Sequence, residues 1–201
     1  MEAGMADLQG LFNLSQFLFL FLVPAITMRS FAEERRTGTM DLLLTKPLTD
    51  MQIIGAKFLS CLTLLVIALL PTLIYVISVY IMGNPVGNID MGSTWGSYLG
   101  LLFLGATFIS IGLFASALTN NQIVAFIIAA PLCFILFFGF AFIYSFESLG
   151  AIGYYIKALG IEHHYASISK GVIDTRDIIY FCSVIFVFLF GTRIVLLKRK
   201  W

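Results

Sequence analysis

Charged residues are scarce in this chain of 201 residues, since Asp, Glu, Lys and Arg together make up 11% of it and the formal net charge is +1. Nucleic-acid binding requires a basic face, which this balance does not supply, so no nucleic-acid partner is expected. A soluble domain of this length also carries more charge on its surface. The shortage of charge therefore excludes a nucleic-acid-binding protein and a soluble globular domain.

Cysteine and histidine are also rare. Cys61, Cys133 and Cys182 lie in apolar stretches and match no metal or redox spacing, so we expect no disulfides. The two histidines, His163 and His164, are adjacent. Neighbouring residues of a helix point about 100° apart, which disfavours a shared metal ion without further ligands. Ordinary interfacial polar residues are the favoured interpretation, with a metal site as the alternative.

The common catalytic motifs are missing. The sequence contains no Gly-x-x-x-x-Gly-Lys-Ser/Thr phosphate loop, no His-Glu-x-x-His and no Gly-x-Ser-x-Gly nucleophile elbow. We therefore expect a non-catalytic chain that binds no cofactor directly.

Apolar residues are abundant, at 60% of the chain with 20 Phe and a mean hydropathy of +0.98. A helix needs about 20 mostly apolar residues to cross roughly 30 Å of hydrocarbon, and backbone groups in lipid must pair within the helix. Five stretches qualify, near 9–28, 57–82, 96–118, 122–145 and 178–197. The sequence predicts an all-α integral membrane protein, with one transmembrane domain over residues 1–201.

Basic residues are distributed unevenly around these stretches. Nine flank the loop 29–56 or lie near the C-terminus: Arg29, Arg35, Arg36, Lys46, Lys57, Arg193, Lys198, Arg199 and Lys200. Three lie on the other side, in the segment 146–177: Lys157, Lys170 and Arg176. Because cytoplasmic loops are enriched in Lys and Arg, the loop 29–56 and the C-terminus are predicted to be cytoplasmic. Five spans then leave Met1 outside, so we expect a further span upstream of it.

The loop 29–56 holds the densest block of charge. After Met28 it runs through an acidic and basic cluster, Gly38-Thr39, Asp41 and a leucine run to Pro47. This order favours a short helix in water that a soluble partner grips; an ordinary solvated loop that only fixes topology is the alternative. The segment 146–177 is too short to span and predicts short helices at the outer interface.

Polar chemistry inside the spans is sparse. No Asp, Glu, Lys or His lies mid-membrane, which disfavours ion-coupled transport. Pro24, Pro71 and Pro131 each remove a helical hydrogen bond and predict local bends. Gly96-x-x-x-Gly100 would allow a second helix to approach closely, either in a dimer or in ordinary packing.

The segment from Phe31 to Leu48 resembles the cytoplasmic signature of type-2 ABC transporter permeases, which runs Glu, Gly-Thr, acidic, Leu-Leu, Pro. The matching residues are Glu34, Gly38, Thr39, Asp41, Leu43, Leu44 and Pro47. The turn 118–126 also resembles the corresponding turn of these permeases. The stretches 83–93 and 169–180 look like the F-type permease associated with bacterial gliding motility.

This resemblance implies six spans preceded by an interfacial helix, so the first span and that helix are expected to be missing here. It implies a permease subunit of an exporter-type complex in the bacterial plasma membrane, surrounded by lipid. Two permease chains, identical or related, would pair, and a cytoplasmic ABC ATPase would hold the ATP and magnesium. Closure of the ATPases would push the charged loop.

The resemblance also implies roles for individual residues. Glu34, Arg35 and Arg36 would make charged contacts with the ATPase or orient the loop. Gly38 and Thr39 would form the turn into the next short helix, for which Thr is a suitable N-cap.

The remaining signature residues follow that turn. Asp41 would lie in the first turn of the coupling helix, where a carboxylate favours the helix dipole. Leu43 and Leu44 would pack in an ATPase groove or against the bundle, and Pro47 would end the helix. Two alternatives share this fold: a non-transporting membrane scaffold, and a mechanotransmission subunit of a motility or secretion complex. The transported substrate is not indicated by the sequence.

Overall fold

The structure is a computed structural model that describes residues 8–40, 48–83, 86–144, 157–172 and 174–198. No β-strand occurs among these residues, and the predicted all-α class is confirmed. Five segments within them are long and apolar enough to cross a membrane: Gln9–Thr37, Asp50–Met82, Met91–Leu118, Gln122–Tyr144 and Thr175–Leu197. The five predicted spans are thereby confirmed as helices.

We number the helices in chain order. They are α1 (Gln9–Thr27), α2 (Arg29–Thr37), α3 (Asp50–Leu69), α4 (Leu73–Met82), α5 (Met91–Leu118), α6 (Gln122–Phe134), α7 (Phe140–Tyr144), α8 (Ile161–Ile168) and α9 (Thr175–Leu197). A 3-10 turn at Leu70–Thr72 joins α3 to α4, and a π-helical turn at Ile135–Gly139 joins α6 to α7.

Each of the three prolines predicted to bend a span lies next to a local irregularity. Pro71 is inside the 3-10 turn, and Pro131 lies four residues before the π-helical turn. Pro24 lies four residues before Met28, where α1 ends and α2 begins. A proline removes the hydrogen bond that its nitrogen would donate one turn back, so each of these spans is weakened in the turn that precedes its proline.

Helix α5 forms the centre of the bundle. Its most apolar stretch is 78% buried within the protein, against 11–33% for the other four spans. Helices α1, α3, α6 and α9 pack around it. Two glycines allow this close packing, because a Cβ at Gly105 would overlap Leu65 of α3 and one at Gly112 would overlap Thr27 of α1. The remaining spans expose most of their apolar surface, as expected of helices that face lipid.

The bundle has two distinct ends. At the basic end lie α2, the start of α3, the turn between α5 and α6, and the end of α9. At the α8 end lie the starts of α5 and α9 together with α8, one of the short interfacial helices that the sequence predicts.

The predicted loop 29–56 differs from the structure at both of its ends. The first span continues as α2 to Thr37, and α3 already begins at Asp50. Residue Thr49 caps α3 through a capping box with Gln52 (Oγ1 to Gln52 N, 3.3 Å), which fixes the start of that helix before the apolar run. Residues 41–47, and with them Asp41, Leu43, Leu44 and Pro47, lie outside the described residues.

Candidate functional site

The junction between α1 and α2 is fastened by a side chain from α5. The hydroxyl of Ser116 accepts hydrogen bonds from the backbone N–H groups of Phe31 (3.0 Å) and Ala32 (3.1 Å), and it donates one to the carbonyl of Met28 (2.9 Å). The first N–H groups of a helix have no partner within it. The fully buried Ser116 supplies that partner from a distant part of the sequence.

Helix α2 is packed against the bundle on one side. Phe31 and Ala32 are fully buried, so residues 29–37 do not form the ordinary solvated loop that the sequence left open as an alternative. Gly112 allows α1 to lie against α5 just before this junction, because any Cβ there would come within 2.8 Å of Thr27 Cβ. The charged segment is therefore a helical continuation of the first span that packs against the bundle.

Lys57 of α3 holds the opposite side of α2. Its ammonium lies 2.5 Å from Oε1 of Glu34 and donates to the carbonyl oxygen of Ser30 at 2.6 Å. It also lies 4.9 Å from the centre of the Phe31 ring, within cation–π range. Only 18% of the Lys57 side chain and 27% of the Glu34 side chain is exposed. Partial burial makes this pair less screened by salt than a surface ion pair.

The two arginines of α2 behave differently. A guanidinium N–H of Arg35 donates to the carbonyl oxygen of Ala117, in the last turn of α5. The last carbonyls of a helix lack partners within it, so Arg35 caps α5 while it ties α2 down. Arg36 is exposed and lines an open cleft of about 670 Å³, together with the turn 118–123. Of the two, Arg36 is the one that faces solvent.

The predicted turn at Gly38 is present. Gly38 adopts φ +74°, a left-handed conformation that favours glycine, and its N–H donates to the Arg35 carbonyl at 3.4 Å. The Thr39 hydroxyl donates back to the Glu34 carbonyl at 3.3 Å. Among the described residues, Thr39 thus completes the end of α2; the helix that we predicted Thr39 to cap falls on residues 41–47, which lie outside the described residues.

The α5–α6 turn is closed by its own polar side chains. Asn121 Oδ1 accepts from the N–H of Ile123 at 2.9 Å and so caps the start of α6. Thr119 Oγ1 accepts from the N–H of Asn121 at 3.2 Å. This short, capped turn forms the far wall of the cleft beside Arg36.

At the α8 end, His164 connects α8 to α9. Its Nδ1 lies 2.6 Å from Oδ1 of the buried Asp177, its Nε2 lies 2.8 Å from the Ala158 carbonyl oxygen, and its ring stacks on Tyr180 at 3.9 Å. No group of three His, Cys, Asp or Glu residues suited to a metal ion occurs within the described ranges. Through these contacts His164 ties α8 to α9.

The glycine pair at the start of α5 is covered by α8 and the residues that follow it. A Cβ at Gly96 would come within 2.8 Å of Gly171 Cα, and one at Gly100 within 3.1 Å of the Tyr165 ring. Ser93 and Ser97 both donate to the Ser169 carbonyl, at 2.9 and 3.1 Å. The close approach predicted for Gly96-x-x-x-Gly100 is thus used within this chain.

Comparison with known proteins agrees with this architecture. The family model described as ABC-2 family transporter protein matches residues 5–162, from the start of the first span to α8. No curated protein and no solved structure matches the chain. The matched region covers well over half of the sequence and includes α2, Ser116 and Lys57. The chain therefore belongs to the ABC-2 transporter family and is a transmembrane permease of an ABC transporter.

Proposed function

We propose that this chain is the permease subunit of an ATP-driven exporter-type complex and that a cytoplasmic ABC ATPase moves it through α2 and the residues up to Pro47. One observation carries the proposal: α2 is fastened to two different spans, to α5 by Ser116 and Arg35 and to α3 by Lys57. A force on the exposed end of α2 would reach both spans.

Rigidity is what such a role requires. A flexible loop would absorb a displacement by changing its own backbone angles, whereas a helix with buried side chains and paired backbone groups passes it on. Because α5 is the most buried span, a shift of its Ala117 end alters packing throughout the bundle. The ATPase drives such a shift only if it contacts α2 differently in its two nucleotide states.

The signature residues in and just after α2 fall into two groups, one bonded within the chain and one exposed to solvent. Glu34 and Arg35 are engaged within the chain, so they orient α2. Arg36, Gly38 and Thr39 are exposed at the end of α2 and form the surface offered to the ATPase.

The signature residues that follow complete this surface in the proposal. Asp41 favours the dipole of the coupling helix, Leu43 and Leu44 enter an apolar groove of the ATPase, and Pro47 ends the helix. ATP and magnesium are held by the ATPase alone.

The membrane location and the partners of this permease are inferred from the sequence. We infer a bacterial plasma-membrane location with a cytoplasmic C-terminus, because nine of the twelve basic residues lie at the basic end or the C-terminus. A second permease chain completes the pathway, and lipid surrounds the exposed apolar spans. A role in gliding motility is supported by the resemblance of the stretches 83–93 and 169–180.

A mechanotransmission role is the second candidate, and α8 favours it. Contacts of Ser93 and Ser97 with the Ser169 carbonyl fasten the end of α8 to α5, and the His164–Asp177 contact fastens its middle to α9. Movement of α5 would thus also move a segment at the far side of the bundle. In this second candidate function, the ATPase drives mechanical work outside the membrane rather than export.

ATPase activity of the assembled complex tests the proposal. The full chain is purified with the ABC ATPase that accompanies it and reconstituted in proteoliposomes. Arg36→Glu and Gly38→Pro are expected to abolish stimulation of ATP hydrolysis, and Arg176→Glu, an exposed charge reversal at the α8 end, is the control. If the complex works equally well with an ATPase that cannot hydrolyse ATP, the chain is a scaffold and the proposal fails.

A further inference from the structure

A second cavity lies at the α8 end, between α7 and α8. It measures about 560 Å³ and is lined by residues of both signs of charge together with an aromatic ring: Tyr144, Lys157, Glu162, His163 and Lys170. It is far from α2 along the chain and has no part in the coupling proposed above. Two of the three basic residues predicted for this side of the membrane line this one cavity.

The charged groups of the cavity are not paired with one another. Ion pairs within the described part of the chain join Lys57 to Glu34 and His164 to Asp177, and neither involves Lys157, Lys170 or Glu162. The ammonium of Lys157 instead lies 4.9 Å from the centre of the Tyr144 ring. Two ammonium groups without a carboxylate partner in one cavity leave positive charge that an anionic ligand would neutralise.

The charge balance indicates what kind of anion fits. Burial, the neighbouring His164 and Lys157 all lower the pKa of His163 below its ordinary value of 6.5, which keeps this imidazole neutral near pH 7. Two ammonium groups and the carboxylate of Glu162 then leave one positive charge in the cavity. A phosphodiester carries one negative charge.

The position of the cavity indicates where such a phosphodiester would come from. Tyr144 and Ala141 belong to the last turns of the fourth span, and the adjacent Ile143 is exposed on the same short helix. Val172, on the opposite wall, is 62% exposed. Polar and basic groups that meet apolar surface at the end of a span are typical of a lipid headgroup region.

We propose that this cavity binds the headgroup phosphate of an anionic phospholipid between Lys157 and Lys170, with the acyl chains along the exposed apolar side of α7. The Tyr144 ring holds the Lys157 ammonium at the rim. The carboxylate of Glu162 lowers the net charge of the cavity to +1, which disfavours phosphates with more than one negative charge.

Native mass spectrometry of the full chain, released from detergent micelles, tests this site. The probes are phosphatidylglycerol and phosphatidylcholine with identical acyl chains, and glycerophosphoglycerol as the soluble source of the same phosphodiester. Phosphatidylglycerol is expected to bind preferentially. Lys157→Gln and Lys170→Gln should each weaken its binding about fivefold, and about 25-fold together, as expected for basic groups at a membrane surface.

Two further variants separate a defined site from general attraction or misfolding. Arg176→Gln removes an exposed cation at the same end, outside the cavity, and should leave binding unchanged. Glu162→Gln removes the negative charge and should tighten phosphatidylglycerol binding about fivefold, which a folding defect would not do. Equal binding of the two lipids, an Arg176→Gln loss as large as that of the lysine variants, weaker binding by Glu162→Gln, or equally tight binding of glycerophosphoglycerol would each overturn the proposal.

Discussion

The ammonium of Lys57 lies 2.5 Å from Oε1 of Glu34, and this contact joins α3 to α2. The same ammonium donates to the Ser30 carbonyl, one turn earlier on α2. Oε2 of Glu34 is buried and has no hydrogen-bond partner among the residues that the structure describes. Lys57 is thus the ion-pair partner of the Glu34 carboxylate.

Charge reversal of this pair should break coupling, and exchanging the two residues should restore part of it. Glu34→Lys or Lys57→Glu places like charges together, and each should destabilise the protein by about 1–3 kcal/mol, as expected for a lost hydrogen bond to a charged group. The double exchange re-forms the pair but loses the bond to the Ser30 carbonyl, so recovery is partial. Thermal unfolding and ATPase stimulation of the reconstituted complex measure both effects; no recovery in the double variant would contradict a direct interaction.

Ser116→Ala should loosen the α1–α2 junction. Removal of the hydroxyl leaves the buried N–H groups of Phe31 and Ala32 without their acceptor, at a cost of about 1–3 kcal/mol each. Ser110→Ala is the matched control, because Ser110 is equally buried on α5 but donates only to the Thr107 carbonyl of its own helix. Hydrogen exchange of the Phe31 and Ala32 amides should accelerate in Ser116→Ala alone. Equal effects of the two variants would show that the junction does not depend on Ser116.

Gly112→Ala should push α1 away from α5. The new methyl group would overlap the buried Thr27 side chain, and overpacking of this kind costs about 1–3 kcal/mol. Gly55→Ala in α3 is the control, since a Cβ there meets nothing within 4 Å. Replacing glycine by alanine within a helix favours the helix by up to about 1 kcal/mol, so Gly55→Ala should be neutral or stabilising. The thermal unfolding midpoint of Gly112→Ala should therefore lie below that of Gly55→Ala. The reverse order would contradict the close contact of Gly112 with Thr27.

Acidification should weaken the docking of α8 through His163. The pKa of His163 is lowered in the folded protein by burial and by the neighbouring His164 and Lys157, which outweigh the opposing effect of Asp177. The unfolded chain therefore binds a proton more readily, and stability falls as the pH drops from the ordinary value of 6.5 toward the folded-state pKa. His163→Gln removes this contribution of His163 to the pH dependence of stability. Unfolding of the two proteins between pH 7.5 and 5.5 should differ in slope, and parallel curves would refute the assignment.

The positions of the five candidate membrane spans could be predicted from the sequence. Apolar length located all five spans, and the predicted ends at 82, 118, 122 and 197 coincide with those of the helices. The turn at Gly38 was implied by the resemblance to type-2 ABC transporter permeases, and the left-handed conformation of this glycine agrees with it. These features depend on composition and local propensity, which a single sequence records directly.

The fastening of α2 could not be predicted in the same way. The sequence treated the stretch from Arg29 to Thr37 as loop because its charge is unsuited to lipid, and that pattern says nothing about helix continuation in water. Ser116 gives no signal of its own, since it is one serine in an apolar run and its partners lie more than 80 residues away. Lys57 was counted only as a topology determinant, because its distance to Glu34 depends on how α3 packs.

Photo-crosslinking from position 36 tests the central claim most directly. A benzoylphenylalanine replaces Arg36 at the exposed end of α2, and the complex with its ABC ATPase is illuminated in the ATP-bound and ADP-bound states. A matched probe at Tyr75, exposed on α4 in the later part of the second span, is the control. We predict a crosslink to the ATPase from position 36 whose yield changes with the nucleotide, and none from position 75. No crosslink from position 36, or one that is the same in both nucleotide states, would contradict the account.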